Sequence, residues 1–300
     1  MQFREQNIKN IFNVKSLNFN QNTMKKILFF LSISTLVFAQ QDFSKVEMKT
    51  TEITPNIFMI EGSGGNIGLF TNEEVTFIID DQFGPLAEKI QAAVSEQTSR
   101  PIDFVINTHY HGDHSGSNPH FEKEGAYVIA QENVRTRLKE EQTEGLPKLT
   151  FPFNMNLYFG DEEIEIFHQS RAHTNGDAII HFKTSNVFHT GDVFVRYGFP
   201  YIDVKSGGNI NGMIEFLDTA LRKMNDESII IPGHGQLAKK QDVLDFRNMI
   251  YTIRNNIRTG ISSGLSLEEI QALDPTAGYP DPRDSKNGFV EGVYHSLVEE

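Results

Sequence analysis

Residues 108–114 read Thr108-His109-Tyr110-His111-Gly112-Asp113-His114. They follow the apolar run Ile102 to Ile106, which reads as a buried strand. Successive side chains on an extended segment alternate, so His109 and His111 point the same way. If the chain turns at Gly112, Asp113 and His114 approach the same centre from another side. Imidazole and carboxylate donors in this mixture suit a zinc-like ion. A single histidine on a strand is ordinary in a core or on a surface. Three histidines and an aspartate packed this closely would be costly to desolvate without a cation.

The rest of the composition bounds what such a centre could serve. The chain has 300 residues, 38 % of them apolar, enough for a sizeable core. It contains no cysteine, which excludes a disulfide framework, a thiolate metal site and a cysteine nucleophile. With no tryptophan, 24 phenylalanines must supply most of the aromatic core. A net charge of -13 argues against a sequence-independent grip on nucleic acid, which needs a basic face.

Met24-Lys25-Lys26 precedes the apolar run Ile27 to Phe38, which ends Val37-Phe38-Ala39. A charged start, a short apolar stretch and small residues before a cleavage point describe a secretory signal peptide, and the run is short for a membrane span. Residues 1–39 are therefore expected to be a leader, with Met24 the true initiator and residues 24–39 the signal peptide. Residues 40–300 are expected to form a single domain. The expected destination is the periplasm or the medium, with no membrane attachment after cleavage. Removing the leader takes away five Lys/Arg and one Glu, leaving a more acidic chain.

Short strands are predicted over Lys45 to Ile53, Ile57 to Glu61, Asn66 to Thr71 and Val75 to Asp80, separated by Pro55, Gly62 to Gly65 and Asn72-Glu73. Helical spacing comes next over Pro85 to Ser95. After the histidine-rich turn come a strand, Ala126 to Ala130, and a polar helix, Glu132 to Glu141. Gly145 to Asn156, with Pro147 and Pro152, reads as loop. The second half offers strands at Glu163 to Phe167, Ala178 to Phe182, Val187 to His189 and Ile229 to Ile231. Helices are expected over Asn211 to Met224, Asp242 to Arg258 and Phe289 to Val298. Ser266-Leu267-Glu268-Glu269 is a capping box, flanked by a Leu265/Ile270 staple.

His109-x-His111-x-Asp113-His114 resembles the signature of the metallo-β-lactamase superfamily of hydrolases. Three later motifs occur in the order that the resemblance implies: Ala172-His173-Thr174-Asn175-Gly176-Asp177, Thr190-Gly191-Asp192 and Pro232-Gly233-His234-Gly235. The resemblance spans roughly Ile57 to Gly235. It implies an α/β fold, the four-layer αβ/βα sandwich. It also implies that His109, His111 and His173 hold one metal, that Asp113, His114 and His234 hold a second, and that Asp192 bridges them. Asp80, with Asp81 as its alternative, is the candidate acceptor for the far nitrogen of a ligating histidine. The chain departs from many relatives at Asp177, where they carry a second histidine. His189, three residues before Asp192, is the remaining histidine best placed to support the site.

Two zinc ions about 3.5–4 Å apart can share a water and lower its pKa to about 7. The expected chemistry is hydrolysis of an ester, lactone or amide in a small molecule with a carbonyl, a β-lactam among the options, with Asp113 orienting the nucleophile and carrying its proton. A mononuclear iron enzyme oxidising thiols or persulfides is the rival of a different class, and a nuclease or a non-catalytic metal binder the others. Arg196 and Lys205 are candidate cations beside the metals. The loop Gly62 to Asn66 could line the cleft, and Thr150 to Phe159 could act as a lid. The sequence leaves the oligomeric state open.

Overall fold

Short runs rich in isoleucine, valine and phenylalanine fold into many of the strands, which are three to seven residues long. The structure, a computed structural model, describes residues 42–298. The leader expected over residues 1–39 lies outside the described residues. In chain order the elements are β1 (Lys49–Thr54), β2 (Ile57–Glu61), β3 (Ile67–Thr71), β4 (Thr76–Ile79), α1 (Ala87–Ser95), β5 (Phe104–Ile106), α2 (Gly112–Ser115), α3 (Asn118–Lys123), β6 (Tyr127–Gln131) and α4 (Glu132–Glu141). They continue with β7 (Leu149–Phe151), β8 (Asn154–Phe159), β9 (Glu162–His168), β10 (Ala178–Phe182), β11 (Val187–His189), α5 (Ile210–Lys223), β12 (Ile229–Ile231), α6 (Lys240–Ser262), α7 (Leu267–Ala272) and α8 (Lys286–Val298).

Strands β1 to β7 form one sheet in chain order, antiparallel through β4 and parallel from β4 to β7. The second sheet runs β12-β11-β10-β9-β8, parallel only between β11 and β12. Parallel neighbours need crossovers, and α1, α2 with α3, and α4 supply them for β4 to β7.

Three apolar clusters fill the spaces between four layers. Ile78, Ile90, Val94 and Phe121 bury the outer face of the first sheet under α1 and α3. Ile57, Phe70, Phe77, Ile106, Ile166 and Phe182 lie between the sheets. Phe188, Met213, Phe216, Leu217, Ile250 and Val293 seal the second sheet beneath α5, α6 and α8. This is the αβ/βα sandwich. Phenylalanine does take the place of tryptophan: the Phe70, Phe77 and Phe182 rings stack with centroids 5.1 to 6.1 Å apart. Fully burying each such side chain contributes about 1.5–3 kcal/mol.

Two expectations fail here. Gly145 to Asn156 is not simply loop, and Thr150 to Phe159 is not a lid. Residues 149–151 are the last strand of the first sheet and residues 154–159 the edge strand of the second. Phe151 is buried, and the Phe159 ring sits 6.2 Å from that of Phe77 and 6.3 Å from that of Phe104. Pro152 falls between the two strands, where no ladder N–H is needed. The capping box at Ser266 forms as expected, with Glu269 N donating to Ser266 Oγ and Ser266 N donating to Glu269 Oε2. From Phe43 onward the described residues pack as one compact unit, and none of their helices is long and apolar enough to cross a membrane.

Candidate metal centre

Register brings the motif-bearing turns to one edge. Ile79 pairs with Ile106, so Asp80 emerges beside Thr108. His189 pairs with Ile231, so the turns carrying Asp192 and His234 leave the sheet side by side. The β9–β10 connection, which carries His173, starts from the pair Ala178–His168. Ala178 N donates to Thr108 O, and Asn66 N donates to Gly233 O, tying the two sheets together at this edge.

The seven sequence-predicted residues converge there. His109 Nε2 and His173 Nε2 lie 3.1 and 2.9 Å from His111 Nδ1. Asp113 Oδ2, His114 Nε2 and His234 Nε2 form a second triad, 3.3 to 3.7 Å apart. Asp192 stands between them. Its Oδ1 is 3.3 Å from His114 Nε2 and 3.4 Å from His234 Nε2, while its Oδ2 is 3.8 Å from His173 Nε2.

Four of the five histidines have their other ring nitrogen engaged. Thr108 Oγ1 donates to Asp80 Oδ2 at 2.7 Å and accepts from His109 Nδ1 at 3.0 Å. His111 Nε2 donates to Asp203 Oδ2 at 3.0 Å, His114 Nδ1 to Asp80 Oδ2 at 2.7 Å, and His173 Nδ1 to the Tyr201 carbonyl at 2.8 Å. With those protons so placed, the lone pairs of His109 and His173 each face that of His111 near 3 Å, and all three lie within 4.8 Å of one another. Three lone pairs at that separation repel unless a cation lies among them. Asp192 Oδ1 is buried and makes no hydrogen bond, which leaves an acceptor turned toward the second triad. This donor set fits divalent metal.

Electrostatics set the two triads apart. Burial holds the His109 imidazole well below its usual range, and His173 shifts the same way for the same reason. Burial also opposes the charged form of His114, but Asp192 and Asp80 outweigh it and lift its pKa well above the ordinary value. For His234 the balance of burial against Asp192 and Asp113 raises the pKa to about 9. Burial works against the Asp192 carboxylate too; the charges of His114 and His234 nevertheless keep it well below the usual range.

Close approach is permitted by two glycines. A Cβ on Gly65 would lie 2.2 Å from His114 Cε1, and one on Gly233 would lie 2.0 Å from Asp192 Oδ1. The Gly62 to Asn66 loop does run along the site: Gly65 N donates to Asp113 O at 3.0 Å. Asp80 itself sits at φ 63, a left-handed conformation that ordinary residues seldom adopt. It accepts from Thr108 N, Thr108 Oγ1 and His114 Nδ1. Asp81 instead accepts from Ser117 N.

Other expectations fare differently. Asp177 accepts from Thr174 N and Oγ1, closing the turn that carries His173. His189 is no ligand but braces the Asp192 turn: its Nε2 lies 3.0 Å from Asn66 O, and its Nδ1 accepts from Gly191 N at 3.3 Å. Arg196 is not a cation for the site, because it donates to Leu237 O and pairs with Asp242 at 3.3 Å. Lys205 is exposed along a neighbouring cavity. Sequence reading missed Asp203 and the Tyr201 carbonyl. They lie in Phe199-Pro200-Tyr201-Ile202-Asp203, which has neither periodicity nor a metal-ligand spacing.

The profile of the family described as "Metallo-beta-lactamase superfamily" matches residues 60–234. The chain belongs to that superfamily. The metallo-beta-lactamase type 2 of Bacillus cereus is 19 % identical over 159 residues, covering 52 % of this chain and 60 % of that protein. A metallo-beta-lactamase from Pontibacter korlensis superposes with a TM-score of 0.62 at 13 % identity, over 68 % of this chain and 99 % of the other. The stereoselective inverting sec-alkylsulfatase Pisa1 from Pseudomonas sp. superposes with a TM-score of 0.70 at 15 % identity, over 84 % of this chain and 50 % of that one. These likenesses show the superfamily fold. The matched span carries all seven converging residues and stops at His234, before α6, α7 and α8.

Proposed function

We propose that this superfamily member is a dinuclear zinc hydrolase, acting outside the cytoplasm, that cleaves an ester, lactone or amide bond in a small molecule, a β-lactam among the options. His109, His111 and His173 would hold one ion, Asp113, His114 and His234 the other, with Asp192 shared. The observation that carries this reading is the split of Asp192, one oxygen toward each triad, with Oδ1 buried and unbonded. A pair of zinc ions bound there supplies a water ionised near neutral pH and polarises a carbonyl oxygen.

The chain's own groups do the rest. Asp113 has a partly exposed carboxylate 3.4 Å from His234 Nε2, so it can orient an attacking water and take up its proton. Its pKa is lowered: burial works against the charged form, but the hydrogen bond from His234 and the charge of His114 prevail. Thr108, Asp80, Asp203 and the Tyr201 carbonyl hold the imidazoles in the tautomers that the site needs.

Two complete triads favour this reading over a mononuclear iron oxidoreductase. Metal analysis of the purified protein tests the point: about two zinc per chain support it, whereas one iron with oxygen consumption overturns it. A hydrolysis screen on the zinc-loaded protein should include a chromogenic cephalosporin, acyl lactones, simple esters and thioesters. Export is the part of the proposal that rests on residues 24–39 alone.

A further inference from the structure

Three of the four residues in the loop Gly62-Ser63-Gly64-Gly65 are glycine, yet the loop lies tightly against the second triad. A Cβ on Gly64 would come 2.9 Å from Asp113 O and 3.0 Å from Asp113 Cβ. Gly65 N donates to the same Asp113 carbonyl at 3.0 Å. Glycine loses more freedom on ordering than any other residue, so a group outside the loop has to hold it in place.

Gln82 is that group. It is fully buried. Its Nε2 donates to Gly65 O at 2.7 Å, and its Oε1 accepts from Ser63 N at 3.3 Å. Both ends of the amide are used, and the two bonds straddle Gly64, the residue that abuts Asp113. The main chain of the same segment holds the opposite end of the ligand-bearing turn. Gln82 O accepts from Gly116 N at 2.9 Å, one residue past α2, and Asp81 N donates to His114 O at 2.9 Å. Gln82 also sits at φ 53, a left-handed conformation that ordinary residues seldom adopt. A buried amide that must find partners, on a strained backbone, is a costly choice where an apolar side chain would fill the space. None of these bonds goes to His109, His111 or His173. Asp80 serves both halves of the centre, whereas Gln82 serves one.

We infer that Gln82 is a positioning residue for the Asp113–His114 half of the centre: it clasps the glycine loop with its side chain and the far end of α2 with its carbonyl, and so sets the two ligands between them. This rests on the two-metal reading for which ion it serves, though not for the clasp itself.

The test uses two variants. Gln82→Gly removes the side chain at a backbone conformation that glycine readily takes, and Gln82→Met keeps the volume without the hydrogen bonds. Zinc affinity is measured by competition with a chromogenic chelator in two backgrounds, His173→Ala, which leaves the second triad whole, and His234→Ala, which leaves the first. Each Gln82 variant should lower affinity about tenfold or more in the first background and less than about twofold in the second. Residue-resolved hydrogen exchange on the metal-free protein reads the clasp without any ion. Exchange of the Gly65 amide should accelerate about tenfold or more in both variants, with the Thr108 amide, beside the first triad, unchanged. Equal loss of zinc affinity in both backgrounds, or loss in neither, overturns the clasp and leaves the two-metal reading standing. Unchanged exchange at Gly65 overturns it too. If the His173→Ala chain takes up no zinc while Gly65 protection depends on Gln82, the two-metal reading falls and the clasp stands. Thermal melting of both variants verifies folding.

Discussion

Asp203 and His111, 92 positions apart in the chain, meet through a 3.0 Å hydrogen bond from imidazole Nε2 to carboxylate Oδ2. The same oxygen accepts from Tyr110 Oη at 2.8 Å, and Ser206 N donates to Asp203 Oδ1 at 3.1 Å. A carboxylate held on three sides fixes the ring it supports. Asp203→Ala should lower zinc affinity about 10–100-fold, as loss of such a supporting acceptor does elsewhere. Competition with a chromogenic chelator measures it, and Asp203→Asn, which keeps an acceptor, should recover part of the loss.

The chemistry itself is most exposed to change at two residues. Asp113→Asn and His111→Ala should each abolish turnover while the circular dichroism and melting cooperativity of the fold persist. Either variant hydrolysing as well as wild type would remove the assignment.

Gly233→Ala places a methyl group where Asp192 Oδ1 now lies. Overpacking of this kind costs about 1–3 kcal/mol, and the side chain best able to yield is Asp192. The expected consequence is a zinc content falling from about two per chain toward one. Elemental analysis after gel filtration reads it, and an unchanged content would mean that Asp192 is not shared.

Metal should also stabilise the fold, because the triads exist only in the native chain. With zinc at about a thousandfold over its dissociation constant, the native state gains about 4 kcal/mol. Melting temperature should therefore rise on zinc addition and fall with a chelator. A melting curve indifferent to both would contradict the paired triads.

His181, away from the centre, gives a pH signature of the fold. Its ring stacks on Phe188 at 3.9 Å, and burial lowers its pKa to about 4. The unfolded imidazole titrates near 6.5, so between about pH 6.5 and 4 the unfolded chain binds the extra proton and stability falls as pH drops. His181→Phe should flatten the stability curve in that window, by an amount on the order of 1 kcal/mol. Urea titrations at pH 7 and pH 5 make the comparison.

How much of this was legible beforehand depended on whether the signal was local. The strands Ile57–Glu61, Ala178–Phe182, Val187–His189 and Ile229–Ile231 were readable because buried strands are apolar runs bounded by breakers. Residues 108–114 were readable because four donor side chains are adjacent in sequence. The strands β7 and β8 were hidden by Pro147 and Pro152 and by their position at the sheet edges, where Phe153 and Tyr158 face solvent. Asp203 and Tyr201 were hidden for a different reason. Their role exists only after the chain has folded back across the site, and nothing in their own neighbourhood marks it.

Asp80 touches both halves of the centre, directly at His114 and through the Thr108 hydroxyl at His109. The two loading events therefore share a fulcrum. An ion that settles in either half steadies this carboxylate, and its companion then meets imidazoles already aimed, so occupancy should climb in a single cooperative step rather than in two.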